Sequence, residues 1–304
     1  MSESVGLTGR DEAGGGVTIK LETVPERNTL GFILANRMCA TCRNILPPFG
    51  CACPNPVALD HVPLSAEGSK RGKSLLIAGA GPSLATLGHE FATHSGEVWA
   101  TNSALAWCLS KGYRVDRAVA IDASPRMVTE VWPDPWPGEY LLATSVNPVL
   151  TAHLLAAGAS VTQFHSARSG SGDEFNLYRT LYPPTFIAGR GLNVVNRAAE
   201  LAAWLGYARI KLVGIDHAYA NGRRYADGRG PRDGDVLATL DLDGRKWVSN
   251  PDMLYCAIAL VHLRNEIGRS RLKFCGDVLP KALQDKTDSF LAERVMDWEP
   301  THES

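Results

Sequence analysis

Several groups of side chains in this sequence are placed where they could do chemistry. The first sits in LLIAGAGPSL, residues 75–84, where an apolar run of strand type empties into Gly79, Gly81, Pro82 and Ser83. Glycine tolerates φ > 0 and carries no Cβ, so such a loop can bring backbone close to a ligand. Pro82 suits a first helical turn, and Ser83 suits the cap of a helix running through Leu84 and Leu87. The free N–H groups and positive dipole end of that helix form an anion site, with phosphate as the first expectation and a tight turn that binds nothing as the alternative. The spacing is not a dinucleotide fingerprint, because Leu84 stands where GxGxxG needs glycine, and no GK[ST] follows to make a Walker A loop.

Two acids follow apolar runs in the same way, Asp122 in AVAIDAS and Asp216 in KLVGIDHAYANGRRYADGRG. Acids at the carboxyl ends of strands on one sheet edge could hold a divalent ion such as Mg²⁺ with a nucleotide, bind ribose hydroxyls or orient an acceptor. Equally, each could cap only its own turn. His217 adjoins Asp216 and could serve as a general base, or be solvated or structural in its loop. The following stretch, NGRRYADGRGPRDGD over 221–235, is long for a connection and rich in glycine, which reads as a lid or a solvated loop. Its Arg223, Arg224, Arg229 and Arg232 could close over phosphates, with Asp227, Asp233 and Asp235 offsetting their charge. Tyr225 and Tyr219 could stack on a base there, or simply pack.

Cys39, Cys42, Cys51 and Cys53 form CxxC followed by CxC within a Pro- and Gly-rich knob, residues 38–62, that has little aliphatic surface to hold it. Four thiolates closing two short loops predict a structural Zn²⁺, with His61 as a substitute ligand and redox-active or idle thiols as alternatives. Cys108, Cys256 and Cys275 are expected to be buried hydrophobes.

These groups need a scaffold. Strands are predicted over 74–78, 97–100, 117–121, 140–143, 160–164, 209–213 and 271–274, with helices between several of them, clearest over 192–205 and 250–267. The alternation predicts an α/β, Rossmann-like, doubly wound and mostly parallel sheet, with ligands at the carboxyl ends of its strands. Residues 1–17 read as a disordered lead, 18–64 as an N-terminal segment carrying the Cys-rich knob, 65–73 as a linker and 74–304 as the nucleotide-binding domain.

The 304 residues are 45% hydrophobic and 21% charged, and 31 basic against 32 acidic side chains give a formal charge of −1. That balance offers no argument for nucleic acid or an anionic membrane as partner. No stretch approaches about 18 uncharged apolar residues, and seven cysteines in an ordinary globular composition do not form a secreted disulfide framework. A reducing, cytoplasmic setting is expected.

IAGAGPSL, then WATNSAL, then YRVDRAVAIDAS, then GRGLNVVNRAAELAAWLGYARIKLVGIDHAYANGRRYADG together resemble the MptE-like group. That group includes archaeal 6-hydroxymethyl-dihydropterin diphosphokinases and motility accessory factors implicated in flagellin glycosylation. The same stretches are similar to bacterial CMP-sialic-acid sialyltransferases, over roughly residues 74–274. The resemblance implies a nucleotide near Gly79–Ser83, Asn102, Asp122 and the Gly189, Gly191 and Asn193 turn, with Asp216, His217 and Tyr225 at the reacting end. A departure is the segment GRKWVSNPDM, which lacks the histidine base that those sialyltransferases carry there. The expected activity is nucleotide-dependent transfer to an unidentified acceptor, first of a glycosyl group from a nucleotide sugar, possible donors including CMP-linked ones. The alternatives are Mg²⁺-dependent diphosphoryl transfer to a pterin-like alcohol, and a non-enzymatic nucleotide-binding or zinc-knob docking module.

Overall fold

The computed structural model describes residues 6–10, 16–20, 59–167, 172–182, 185–230 and 237–284. Cys39, Cys42, Cys51 and Cys53 lie outside them, and among the described residues no group of three or more His, Cys, Asp or Glu side chains could hold a metal ion. The zinc-held knob therefore receives no support from the structure. Gly6–Arg10, in the segment 1–17 read as a disordered lead, pairs antiparallel with Gly16–Lys20, which runs past that segment's end.

One nine-stranded parallel sheet organises the rest. Its strands are β1 (Asp60–His61), β2 (Ser74–Ala78), β3 (Glu97–Thr101), β4 (Arg117–Ala120), β5 (Glu139–Ala143), β6 (Ser160–Ser166), β7 (Ile187–Ala188), β8 (Arg209–Val213) and β11 (Leu272–Phe274). A separate hairpin, β9 (Ala238–Leu242) and β10 (Arg245–Ser249), precedes β11 in the chain. The helices are α1 (Gly88–Ala92), α2 (Ala104–Ser110), α3 (Pro148–Ala156), α4 (Gly172–Leu181), α5 (Val194–Trp204), α6 (Pro251–Ile267) and α7 (Leu279–Leu283).

The spatial order is β11-β8-β2-β3-β4-β5-β6-β1, with β7 also pairing to β6. From β2 to β6 the chain steps in one direction, then returns across the sheet to lay β8 against the other side of β2. The order thus reverses between β2 and β8, whose register runs from Arg209↔Ser74 to Val213↔Ala78. A crevice opens beyond the carboxyl ends of strands at such a reversal, because the two connections leave in opposite directions.

Leu75, Leu76, Ile77 and Ala78 of β2 are fully buried, which explains why this strand reads as a continuous apolar run rather than an alternating one. Helix α5 packs across β2, β4, β7 and β8 and is buried nearly all round. Residues 65–73, read as a linker, are docked instead: Lys70 N–H donates to Leu205 O at 2.8 Å, and Lys70 Nζ meets Glu97 at 2.5 Å.

The β2 and β8 exits lie against each other. Gly79 N–H donates to Val213 O and Gly81 N–H to Gly214 O, both at 2.8 Å. Gly214 has φ +64, and a Cβ there would overlap Gly79 O and come within 2.9 Å of Leu84 Cβ. Left-handed backbone and contact with main-chain atoms together demand glycine. Gly214→Ala is expected to lower unfolding stability by about 2 kcal/mol or more, read from urea midpoints at constant slope.

Candidate active site

The glycine loop differs from its sequence reading in one physical respect. Gly81 has φ −67 and ψ 161, ordinary extended backbone, so its missing Cβ serves a different purpose from conformational freedom. A Cβ on Gly81 would overlap Asp216 Oδ2, and one on Gly79 would stand 2.5 Å from Gly214 O. The backbone is bare so that the β8 turn can approach it.

Ser83 does not cap a long helix. The segment Pro82–Thr86 is a 3-10 turn with no side-chain cap, followed by the five-residue α1. Ser83 N–H donates to both Asp216 oxygens at 3.1 Å, and Ser83 Oγ donates to Asp216 Oδ2 at 2.8 Å. The anion held by this N-terminus is thus the protein's own carboxylate. Asp216 is buried, and desolvation pushes its carboxyl from 3.8 up to about 6 despite the Ser83 hydrogen bonds.

His217 is buried beside it with φ +49. Its Nδ1 lies 2.8 Å from Ile215 O, which can only accept, so the proton resides on Nδ1. Nε2 therefore accepts, from Asn193 Nδ2 at 2.8 Å. Burial pushes the imidazole down to about 4, leaving it neutral near pH 7 with both nitrogens engaged. As a general base it would first have to exchange the Asn193 amide for a substrate proton.

Asn193 also caps α5, its Oδ1 accepting from Asn196 N–H at 3.0 Å. Gly191, at φ +71, lies against the Asn196 side chain, whose Nδ2 donates to Cys256 O of α6 at 2.9 Å. The N–H groups of Gly189 and Arg190 both donate to Glu200 Oε2 at 2.8 Å. The turn expected near a nucleotide is consequently fixed to α5 and α6 and joined to the β8 exit through His217.

The lid segment returns to the glycine loop, with Ala226 N–H donating to Ala80 O at 2.9 Å. Tyr225 next to it lies 4.5 Å from the Arg229 guanidinium and 5.6 Å from that of Arg224, and Arg229 pairs with Asp227. Arg232 lies outside the described residues.

Asn102 immediately follows β3, next to β2, and Thr101 Oγ1 ties the two strands by donating to Ala78 O at 2.9 Å. Asn102 has φ +42, and its Oδ1 is buried with no hydrogen-bond partner among the described residues. Asp122 stands apart. It is exposed, and Oδ1 accepts from Ser124 N–H at 2.9 Å in its own turn. Three strand spacings, on the order of 14 Å, separate the ends of β4 and β8, so Asp122 and Asp216 do not share one ion.

Sequence reasoning missed the part played by Ser249 and Asn250. Ser249 Oγ donates to His217 O at 2.7 Å, and Asn250 caps α6 while donating to Tyr219 at 3.2 Å. The Asn-Pro pair at the start of α6 is the signal that marks this cap.

The family described as 6-hydroxymethylpterin diphosphokinase MptE-like matches residues 59–222, which contain the glycine loop, Asn102, Asn193 and the Asp216–His217 turn. No curated protein is significantly similar in sequence. A solved structure, the MAf glycosyltransferase from Magnetospirillum magneticum AMB-1, shares the fold with TM-score 0.52 at 15% identity. The match covers 91% of this chain and 42% of that chain, so the present sequence spans less than half of that protein.

The raised Asp216 carboxyl makes stability depend on pH. At low pH the group is protonated whether the chain is folded or not; above 3.8 the unfolded chain releases the proton while the folded protein keeps it until about 6. Stability from this group is therefore full below 3.8 and lost as pH rises through about 6. Wild type should lose about 2 kcal/mol relative to Asp216→Asn between pH 4 and 7, measured by urea unfolding across that range.

Proposed function

The chain belongs to the MptE-like family, and on that premise we propose that it is a nucleotide-dependent transferase moving a glycosyl group from a CMP-linked sugar to an acceptor hydroxyl. The observation that chiefly supports the reading is Asn102. A left-handed backbone and a buried amide oxygen without a partner among the described residues, one strand from the switch point, leave an acceptor suited to a ligand donor such as an amino or hydroxyl group. The shared fold with a glycosyltransferase supports glycosyl over other transfers.

In this reading Gly79, Gly81, Pro82 and Ser83 border the donor phosphate, and Asn102 meets the nucleoside. Gly189, Gly191 and Asn193 form the neighbouring wall. A phosphate that takes the Ser83 N–H must displace the Asp216 carboxylate, which frees that carboxylate at the moment the donor is bound. Asp216, with a proton affinity near neutrality, then accepts the acceptor hydroxyl proton as its oxygen bonds to the sugar and the sugar–phosphate bond breaks. His217 positions Asn193 and the β8 turn, and Tyr225 with its loop shields the reaction from water. The leaving CMP carries away the bonding electrons, so its departure depends on the electrostatics of the glycine loop.

The family's description favours a second reading, diphosphoryl transfer from ATP to a pterin-like primary alcohol. There Mg²⁺ would enter with the nucleotide phosphates and meet the outward carboxylate of Asp122, as magnesium commonly binds through few carboxylates and several phosphate or water oxygens.

CMP and a CMP-sugar are expected to raise the melting temperature of the wild-type protein, with affinity about tenfold weaker in Asn102→Ala through loss of one buried hydrogen bond. Turnover should fall at least ~10²-fold in Asp216→Asn, with donor affinity retained. Stabilisation by ATP with Mg²⁺ and AMP release in the presence of a pterin alcohol, without a response to CMP, would replace the first reading by the second.

A further inference from the structure

An amide oxygen at Asn102 is useful to a ligand only where the backbone holds it in place, and that backbone is held at both ends of the residue. Its N–H donates to Val119 O of β4 at 3.1 Å, and its carbonyl oxygen accepts from Leu105 N–H of α2 at 3.1 Å. The same oxygen accepts a second hydrogen bond, from Trp132 Nε1 at 3.0 Å. A left-handed residue that carries a side chain is strained, and it persists where its surroundings over-determine it. Of the three partners, Trp132 alone contributes a side chain.

The indole is itself fixed. Trp132 is 2% exposed and follows a π-helical turn, Met127–Val131, that its own N–H closes by donating to Met127 O at 2.8 Å. Such widened turns are frequent at functional sites. Tyr140 of β5 meets the indole at 69° with ring centroids 5.2 Å apart. His153 of α3 donates its Nε2–H to Trp132 O at 3.2 Å, since a carbonyl oxygen can only accept. Ring and main chain are thus anchored from two elements that lie outside the glycine loop and the β8 turn. The same π-helical turn also faces the lid segment, because Glu130 is an electrostatic neighbour of Arg229.

We propose that Trp132 is a positioning residue for nucleotide recognition: its indole N–H keeps Asn102 in the left-handed backbone that presents Oδ1 to a ligand donor. The proposal rests on the reading of Asn102 as a nucleoside contact and adds to it a residue that acts through Asn102. Trp132→Phe separates this role from packing, because it keeps an aromatic ring against Tyr140 and removes the donor.

The test uses the full chain. In the ligand-free protein, hydrogen exchange followed by NMR compares the Asn102 N–H with the N–H groups of β2, which report global opening. Trp132→Phe is expected to speed exchange at Asn102 at least ~10-fold more than at β2. Titration with CMP, or with ATP and Mg²⁺ where that pair is the one that stabilises wild type, should give affinity about fivefold weaker in Trp132→Phe, as for loss of one hydrogen bond. Adding Trp132→Phe to Asn102→Ala should cost no further affinity, a coupling that a merely structural role would not produce. An unchanged Asn102 rate, or equal acceleration at Asn102 and β2, overturns the proposal and leaves the nucleotide reading in place, as does an equal affinity loss in both backgrounds. Wild-type affinity in Asn102→Ala overturns that reading and the proposal with it. Should Trp132→Phe fail to fold, the wild type decides: nucleotide that slows exchange of the Trp132 Nε1–H and the Asn102 N–H together supports the link, and nucleotide that leaves the indole proton unaffected overturns it.

Discussion

The contact between the Asp216 carboxylate and the Ser83 N–H and hydroxyl is the interaction on which the rest of the site depends. It joins the first turn after β2 to the first turn after β8, the two strands between which the sheet reverses direction. The contact is possible only because Gly81 presents no side chain to the carboxylate and Gly214 bends left-handed against Gly79. A carboxylate so placed substitutes for an external anion at a short helical N-terminus, and its burial leaves it readily protonated. Fold closure and, in the proposed mechanism, proton acceptance thus share one side chain.

From that contact, order spreads outward through side-chain amides. His217 receives the Asn193 amide, Asn193 caps α5, Asn196 reaches Cys256 on α6, and Asn250 caps α6 while Ser249 holds the His217 carbonyl. Asn193 and Asn250 each satisfy a helix end and also touch a neighbouring element, so the helix termini are located relative to the sheet as well as capped. The fixed imidazole tautomer is part of this frame: a proton on Nδ1 is what leaves Nε2 able to accept from Asn193.

Most of the sheet was legible in the sequence because its strands are short, largely buried apolar stretches that alternate with helical segments. Residues 74–78 and 209–213 coincide with β2 and β8, and the helix expected over 250–267 begins one residue later at Pro251. The two-residue strands β1 and β7 carry no periodicity, since their existence depends only on the free flank of β6. At the site, the placement of Gly79–Ser83 and Asp216 at strand ends followed from pattern, but their mutual contact did not, because it joins residues far apart in the chain. Asp122 shows the converse. Its position after an apolar strand matches that of Asp216, yet strand order sets it three places away and leaves it capping Ser124. Arg197 lay within a helix whose apolar face was visible in the sequence, and only the burial of nearly the whole helix reveals that its side chain is enclosed as well.

The position of β2 has a consequence for how the chain reaches this state. On one side β2 meets β3, the next strand along the chain, whereas on the other it meets β8, where Arg209 bonds Ser74 across 135 residues. Pairings of such separation incur a large loop-closure entropy before any contact repays it, which slows folding. Until β8 arrives, a strand made of Leu75, Leu76, Ile77 and Ala78 has one hydrogen-bonding edge open, the kind of template on which nascent chains associate. The crevice at the β2–β8 reversal therefore exists only once a pairing across 135 residues has formed, and an intact Asp216–Ser83 contact reports that both edges of β2 are covered.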